Sequence, residues 1–196
     1  MRIEVSQDMF QLAQVFTISR GSRTEAKVLS AVIIDGEARG WGECVPYARY
    51  DETLESVTSE IEGLPDVLTR QALYDLLPAG AARNAVDCAL WDLEAKRAGK
   101  RVWELAGLAV PGPEITAYTL SLDTPDAMQA QATQNAHRPL LKIKLGTPDD
   151  MPRLEAVRAG APKARINVGA TEGWSAEVYA DLAPQLIRLG VQMVEQ

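Results

Sequence analysis

The sequence predicts two domains: an α+β domain over residues 1–112, followed by the first half of an α/β (β/α)-barrel over residues 113–196. Three observations carry this. The early part of the chain alternates strand-like stretches with turn residues and then turns helical. Pro111-Gly112-Pro113 interrupts the chain with a composition typical of a domain boundary. Beyond it, strand and helix patterns alternate with short connections, which is the signature of parallel strands joined by right-handed crossovers.

The first domain opens with strand-like residues 2–12, then Glu25–Ile34, then Glu37–Val45, with Asp35-Gly36 as a tight-turn signal between the last two. Residues 19–24 and 46–51 read as loops, and both carry arginines or tyrosines. Such groups suit a ligand carboxylate, because a guanidinium donates paired hydrogen bonds to it; solvated surface loops are the plainer reading. Thr53 and Thr69 each open a short helix as an N-cap, ending near Glu62 and Leu76. A longer helix runs from Ala81 to about Ala98 and stops at Gly99, with Ala82, Val86, Ala89, Leu90 and Leu93 on one apolar face. Asp87 and Asp92 do not share a face and form no metal pair.

In the second domain the expected strands are Ile115–Leu122, Leu140–Leu145, Arg165–Gly169 and Val191–Glu195. The expected helices run from Thr124-Pro125 to about Asn135, from Pro148 to Gly160, and from Ser175 to Leu189. Four strands are half of a closed barrel of eight, so the chain is expected to stop halfway round such a barrel. An open doubly wound sheet is the alternative, but no glycine-rich phosphate fingerprint follows any strand.

Composition narrows the function. The chain has 196 residues, 46% hydrophobic and 24% charged, as in ordinary globular proteins. A net charge of -7 and a pI near 4.8, with no basic run, argue against nucleic-acid binding. The N-terminus carries no apolar signal segment and nothing approaches a membrane span, so a cytoplasmic protein is expected. Cys44 and Cys88 sit in apolar contexts and read as reduced core thiols. With His137 as the single histidine, imidazole zinc sites and Ser/His/Asp triads lack their parts.

The chemically loaded stretch is Leu140-Leu141-Lys142-Ile143-Lys144-Leu145-Gly146. Side chains alternate along a strand, so Lys142 and Lys144 share one face while Leu141, Ile143 and Leu145 share the other. Desolvation and mutual repulsion both disfavour the charged amines, and a neutral lysine is a base. A solvated strand end with two charges is the plainer reading of this stretch taken alone.

Several motifs in order resemble the N-terminal part of the enolase superfamily, in its muconate lactonizing branch, and most closely the dipeptide epimerases that act on L-Ala-D/L-Glu. They are Gly40-Trp41-Gly42-Glu43 with Pro46-Tyr47-Ala48-Arg49-Tyr50, Gly80 to Asn84 running into Asp87 to Leu93, Leu141 to Leu145, Val168 to Trp174, and Val194-Glu195-Gln196. The resemblance implies that the first domain is a capping domain whose loops cover the mouth of a TIM-like barrel. Arg20 then becomes the group for the distal carboxylate of a small acidic dipeptide, and Thr119 a substrate contact. It further implies that Lys144 removes the α-proton, that Lys142 steadies the substrate carboxylate and enediolate, and that Mg²⁺ holds the developing charge with Glu195 as one ligand.

One position departs from the family. Its pattern Val-Asp-Ala-Asn-Glu-Gly-Trp stands here as Val168-Gly169-Ala170-Thr171-Glu172-Gly173-Trp174, so Gly169 occupies the place of a metal-binding aspartate. Glu172 corresponds to a residue that is not a ligand in the family. The third ligand and the opposing lysine would lie beyond Gln196. The expected function is therefore epimerisation of acidic dipeptides by a chain that is truncated and altered at its metal site. The alternative is a non-catalytic, truncated or degenerate member; within enzymes, muconate-type cycloisomerase and N-acylamino acid racemase chemistry share the lysine motif. The unpaired edges of a half barrel also predict association between copies.

Overall fold

The computed structural model describes residues 1–195. Three strands come first, β1 (Arg2–Ile18), β2 (Gly21–Asp35) and β3 (Ala38–Cys44), in a sheet of order β1-β2-β3. The polar stretch expected as a loop at residues 19–24 contracts to Ser19-Arg20, because residues 21–24 join β2 and β1 continues to Ile18. Loop composition is a local signal, and cross-strand pairing in a long hairpin overrides it. The β2–β3 turn follows the expected signal, with Gly36 at φ +61°.

The chain divides into two compact units. The first comprises residues 1–11 and 25–112, and the second residues 12–24 and 113–196. Residues 12–24, placed by sequence in the first domain, thus group with the second.

In the first unit β3 pairs antiparallel with β2, so that Leu29, Ala31 and Ile33 stand opposite Cys44, Gly42 and Gly40. The main helices of this unit are α1 (Leu54–Glu62), α2 (Arg70–Leu76) and α3 (Ala81–Ala98). Thr53 caps α1 by accepting from the Ser56 amide while Ser56 reciprocates to the Thr53 amide, and Thr69 caps α2 through the Ala72 amide. Helix α3 ends at Gly99, whose φ of +61° is the left-handed conformation that stops helices. The core comprises Leu29, Ile33, Ile61, Leu73, Val86 and Leu93, all fully buried.

A one-turn helix α4 (Val102–Leu105) and a 3-10 turn at Ala48–Tyr50 were not anticipated. Cys44 is buried as expected, whereas Cys88 is exposed on α3 because it falls outside the stripe that meets the core. Both thiols are free.

The second unit holds four parallel strands in the order β4-β5-β6-β7: Tyr118–Leu120, Leu140–Lys144, Arg165–Gly169 and Val191–Glu195. Helices α5 (Pro125–Gln134), α6 (Met151–Gly160) and α7 (Ala176–Arg188) form the crossovers. Strand β4 is shorter than the Ile115–Leu122 expected, since its pairing with β5 extends only over Tyr118–Leu120. Among the described residues no helix is long and apolar enough to cross a membrane.

Strand β3 and helix α3 approach so closely that a Cβ built on Gly42 would lie 1.9 Å from the Ala85 carbonyl oxygen and 2.8 Å from the Ala89 amide. Gly40 meets the Ala89 carbonyl in the same way, at 2.0 Å. The small residues Ala85 and Ala89 on the helix and the two glycines on the strand therefore form one seam. Gly42→Ala should lower stability by at least about 1–3 kcal/mol, the usual range for overpacking, read as a fall in the urea midpoint; an unchanged midpoint would refute the seam.

Candidate active site

Every strand of the parallel sheet shows one face to the helices and the other to the open side. Leu120, Leu141, Ile143, Ile166 and Val168 are fully buried in the core beneath the helices. The opposite face carries Thr119, Lys142, Lys144, Asn167, Gly169, Met193 and Glu195. Register arranges these in two rows. Thr119, Lys142, Asn167 and Met193 stand side by side in the first, and Lys144, Gly169 and Glu195 in the second, at the C-terminal strand ends. A register shift between β6 and β7 keeps the alternation in phase: Ile166 pairs Val191 but Asn167 pairs Met193.

The ammonium of Lys142 donates to the Glu195 carboxylate in an ion pair. That hydrogen bond is the main reason the Glu195 carboxyl is held below its ordinary pKa. Lys144 Nζ lies 3.4 Å from Thr171 Oγ1, and among the described residues it has no ion-pair partner. Its pKa is lowered, first by burial and then by the like charge of Lys142, with Arg20 adding to the same effect and Glu195 opposing it.

The loop after β6 frames this corner. Thr171 and Glu172 take left-handed backbone conformations, φ +52° and +62°, which a β-branched threonine adopts only under constraint. The constraint is visible: Ser19 Oγ donates to the Thr171 carbonyl at 2.7 Å, and Arg20 lies 3.2 Å from Glu172. Arg20, the sequence candidate for a distal carboxylate, therefore belongs to the same unit as the lysines and is held by a carboxylate of the protein. Tyr47 and Arg49 lie in the first unit.

Sequence reasoning missed Asp150. Its carboxylate is fully buried, where a charge is tolerated only with partners. It accepts from the amides of Gly146 and Thr147 at 2.7 Å each, from Trp174 Nε1 at 2.9 Å, and from Arg153 Nη1 at 3.1 Å. One residue thereby joins the end of the lysine strand to the loop after β6, and the turn it makes delays α6 from Pro148 to Met151. The available signal was an aspartate just before a helix in Thr147-Pro148-Asp149-Asp150, which resembles an ordinary N-cap. Asn167 was also missed, being a polar residue in the middle of a strand whose inner face only the register reveals.

A divalent ion does not fit this donor set. Gly169 supplies no side-chain oxygen, its carbonyl accepts from the Leu145 amide at 3.1 Å, and a Cβ there would meet Lys142 Cε at 3.2 Å and Lys144 Nζ at 3.3 Å. Glu195, the expected ligand, faces Lys142. Among the described residues no three His, Cys, Asp or Glu gather into a metal-binding group.

Removing the buried carboxylate leaves several donors and a guanidinium without their partner, so Asp150→Ala should cost roughly 3–5 kcal/mol. Calorimetry reads the loss, and Trp174 fluorescence should shift red as its ring loosens. A melt and a spectrum like those of the parent would show that Asp150 is not the hub.

Residues 2–107 match the family described as mandelate racemase/muconate lactonizing enzyme, N-terminal domain. The L-Ala-D/L-Glu epimerase of Escherichia coli (strain K12) is 42% identical over 200 residues, spanning 99% of this chain and 62% of that enzyme. An enolase family member from Agrobacterium tumefaciens, described as having homology to dipeptide epimerases and solved with sodium and L-Ala-L-Glu, is 50% identical with a TM-score of 0.94, covering 99% of this chain and 61% of that one. A dipeptide epimerase from Enterococcus faecalis V583, solved with Mg and L-Leu-L-Tyr, is 26% identical with a TM-score of 0.87, covering 99% and 60%. The chain thus spans about three fifths of the length of these relatives. On this match and on its two-unit architecture, the chain belongs to the mandelate racemase/muconate lactonizing enzyme family of the enolase superfamily.

Proposed function

We propose that the protein epimerises acidic dipeptides such as L-Ala-D/L-Glu, and that this chain supplies the base for one face of the reaction. The observation that carries the reading is Lys144. It is part-buried in the second row, its pKa is lowered, and no carboxylate of the described residues pairs with it. Similarity to the Escherichia coli epimerase and to the Agrobacterium tumefaciens protein solved with L-Ala-L-Glu supports the substrate class.

In this reading the neutral amine of Lys144 takes the α-proton of the glutamyl residue. The C–H electron pair moves into the adjacent carboxylate, which becomes an enediolate carrying one more negative charge. Lys142, one strand position pair away on the same face, offsets that charge through its ammonium. Arg20 attracts the side-chain carboxylate, and Thr119, beside Lys142 in the first row, contacts the backbone of the dipeptide. Protonation from the opposite face completes the inversion. A bound divalent ion would supply further stabilisation of that charge; the relative from Enterococcus faecalis V583 is solved with Mg, and the donor set of this chain does not hold one.

Gly169 favours a second reading, a family member that binds acidic dipeptides without turning them over. Solvent exchange separates the two. Incubated with L-Ala-L-Glu in deuterium oxide, the protein should wash deuterium into the glutamyl α-position, and Lys144→Ala should abolish this from the L isomer. Lys142→Ala should lower turnover about 10²- to 10³-fold, as loss of a charge-stabilising donor does. Binding without exchange would establish the second reading. If both lysines tolerate replacement by methionine with exchange and affinity intact, the catalytic reading fails.

The pH profile has a defined sign. Only the neutral amine abstracts a proton, so exchange should climb with pH and level off below the ordinary lysine value of 10.5. Lys142→Met removes a neighbouring positive charge and should move the plateau to higher pH in single-turnover exchange. A downward shift would contradict the coupling of the two amines.

A further inference from the structure

We infer that the strand-end site of this chain is closed to divalent cations because the protein fills it with its own: the Lys142 ammonium occupies Glu195, and lysine atoms lie where a ligand at position 169 would project.

The cross-strand row sets the geometry. Lys144, Gly169 and Glu195 stand level on three adjacent parallel strands and share one face of the sheet at its C-terminal end. Mg²⁺ takes oxygen ligands at about 2.0–2.1 Å in near-octahedral geometry and is held through one or two carboxylates with waters completing its shell, so a hard cation there depends on the carboxylates these positions can offer. One position offers an amine, one offers nothing, and the third is engaged. The space beside Gly169 is not a void, for a Cβ there would touch Lys142 Cε at 3.2 Å and Lys144 Nζ at 3.3 Å. An ion on Glu195 would have to displace one ammonium and lie against another.

The surrounding acids do not compensate. Glu172 lies 3.2 Å from the Arg20 guanidinium, on a loop pinned by Ser19. Asp150 is fully buried and accepts from Arg153, two amides and Trp174. Each of these three carboxylates therefore has a positive side chain of the same unit beside it, and the cations outnumber the acids by Lys144. A site so composed attracts anions and repels divalent metals. Two residues hold it in that state, Gly169 and Lys142.

The test is metal binding, which reads this inference independently of whether the protein exchanges dipeptide protons. Electron paramagnetic resonance with Mn²⁺ and calorimetry with Mg²⁺ should show no saturable binding up to about 1 mM, the weak end of protein sites for hard cations. Gly169→Asp together with Lys142→Met adds a carboxylate and frees another. The aspartate is accommodated because the nearest atoms are the far ends of flexible lysines. The double variant should gain at least about tenfold to a hundredfold in affinity, and Glu195→Gln in that background should reverse the gain. Carbon NMR of the Glu195 carboxyl should be unmoved by Mg²⁺ in the parent and shifted in the double variant. Saturable binding by the parent that Glu195→Gln removes would overturn the inference. So would a folded double variant, judged by circular dichroism, that gains no affinity.

Discussion

The second unit depends on one constraint, the strict alternation of side chains in parallel strands with one face sealed. Leu141 and Ile143 are fully buried under α5 and α6, and that burial fixes the rotation of β5 about its axis. Lys142 and Lys144 are then forced together on the opposite face, whatever the electrostatic cost. Hydrogen bonds from β6 and β7 propagate the same phase, so Asn167, Gly169, Met193 and Glu195 join them. The apolar core thus determines where every polar group of the candidate site stands.

Position alone does not set the chemistry. Asp150 determines how the strand end and the following loop meet, and the left-handed pair Thr171-Glu172 carries Thr171 Oγ1 to within 3.4 Å of Lys144. Glu195 takes one of the two ammonium groups, which leaves Lys144 as the amine with a lowered pKa. The same sequence feature, two lysines two residues apart, therefore resolves into two unlike groups only in three dimensions.

Much of this was legible before the structure. Threonine N-caps, the Gly99 stop and the strand-helix alternation each arise from local backbone chemistry, and they located helices α1 to α3 and strands β5 to β7 within a residue or so. The lysine pair and Gly169 were visible because alternation and a motif position are properties of the linear chain. The long hairpin was misread because polar residues at 19–24 resemble a loop until a partner strand is present. Asp150 escaped because a buried carboxylate is recognised by its donors, and those come from residue 174 as well as from its own turn. The engagement of Glu195 by Lys142, 53 positions away, has no local signature at all.

The grouping of residues 12–24 with the second unit bears on how such proteins recombine. A gene exchange that cut at residue 112 would appear to move an intact module, yet it would carry along a hairpin tip whose bonds lie elsewhere. Thr17 donates its amide to Ser121 and accepts from the Leu122 amide, and Ser19 reaches Thr171. Inheritance of the first hundred residues is therefore tied to a few positions in the remainder, and those two stretches should change in concert when one family member diverges from another.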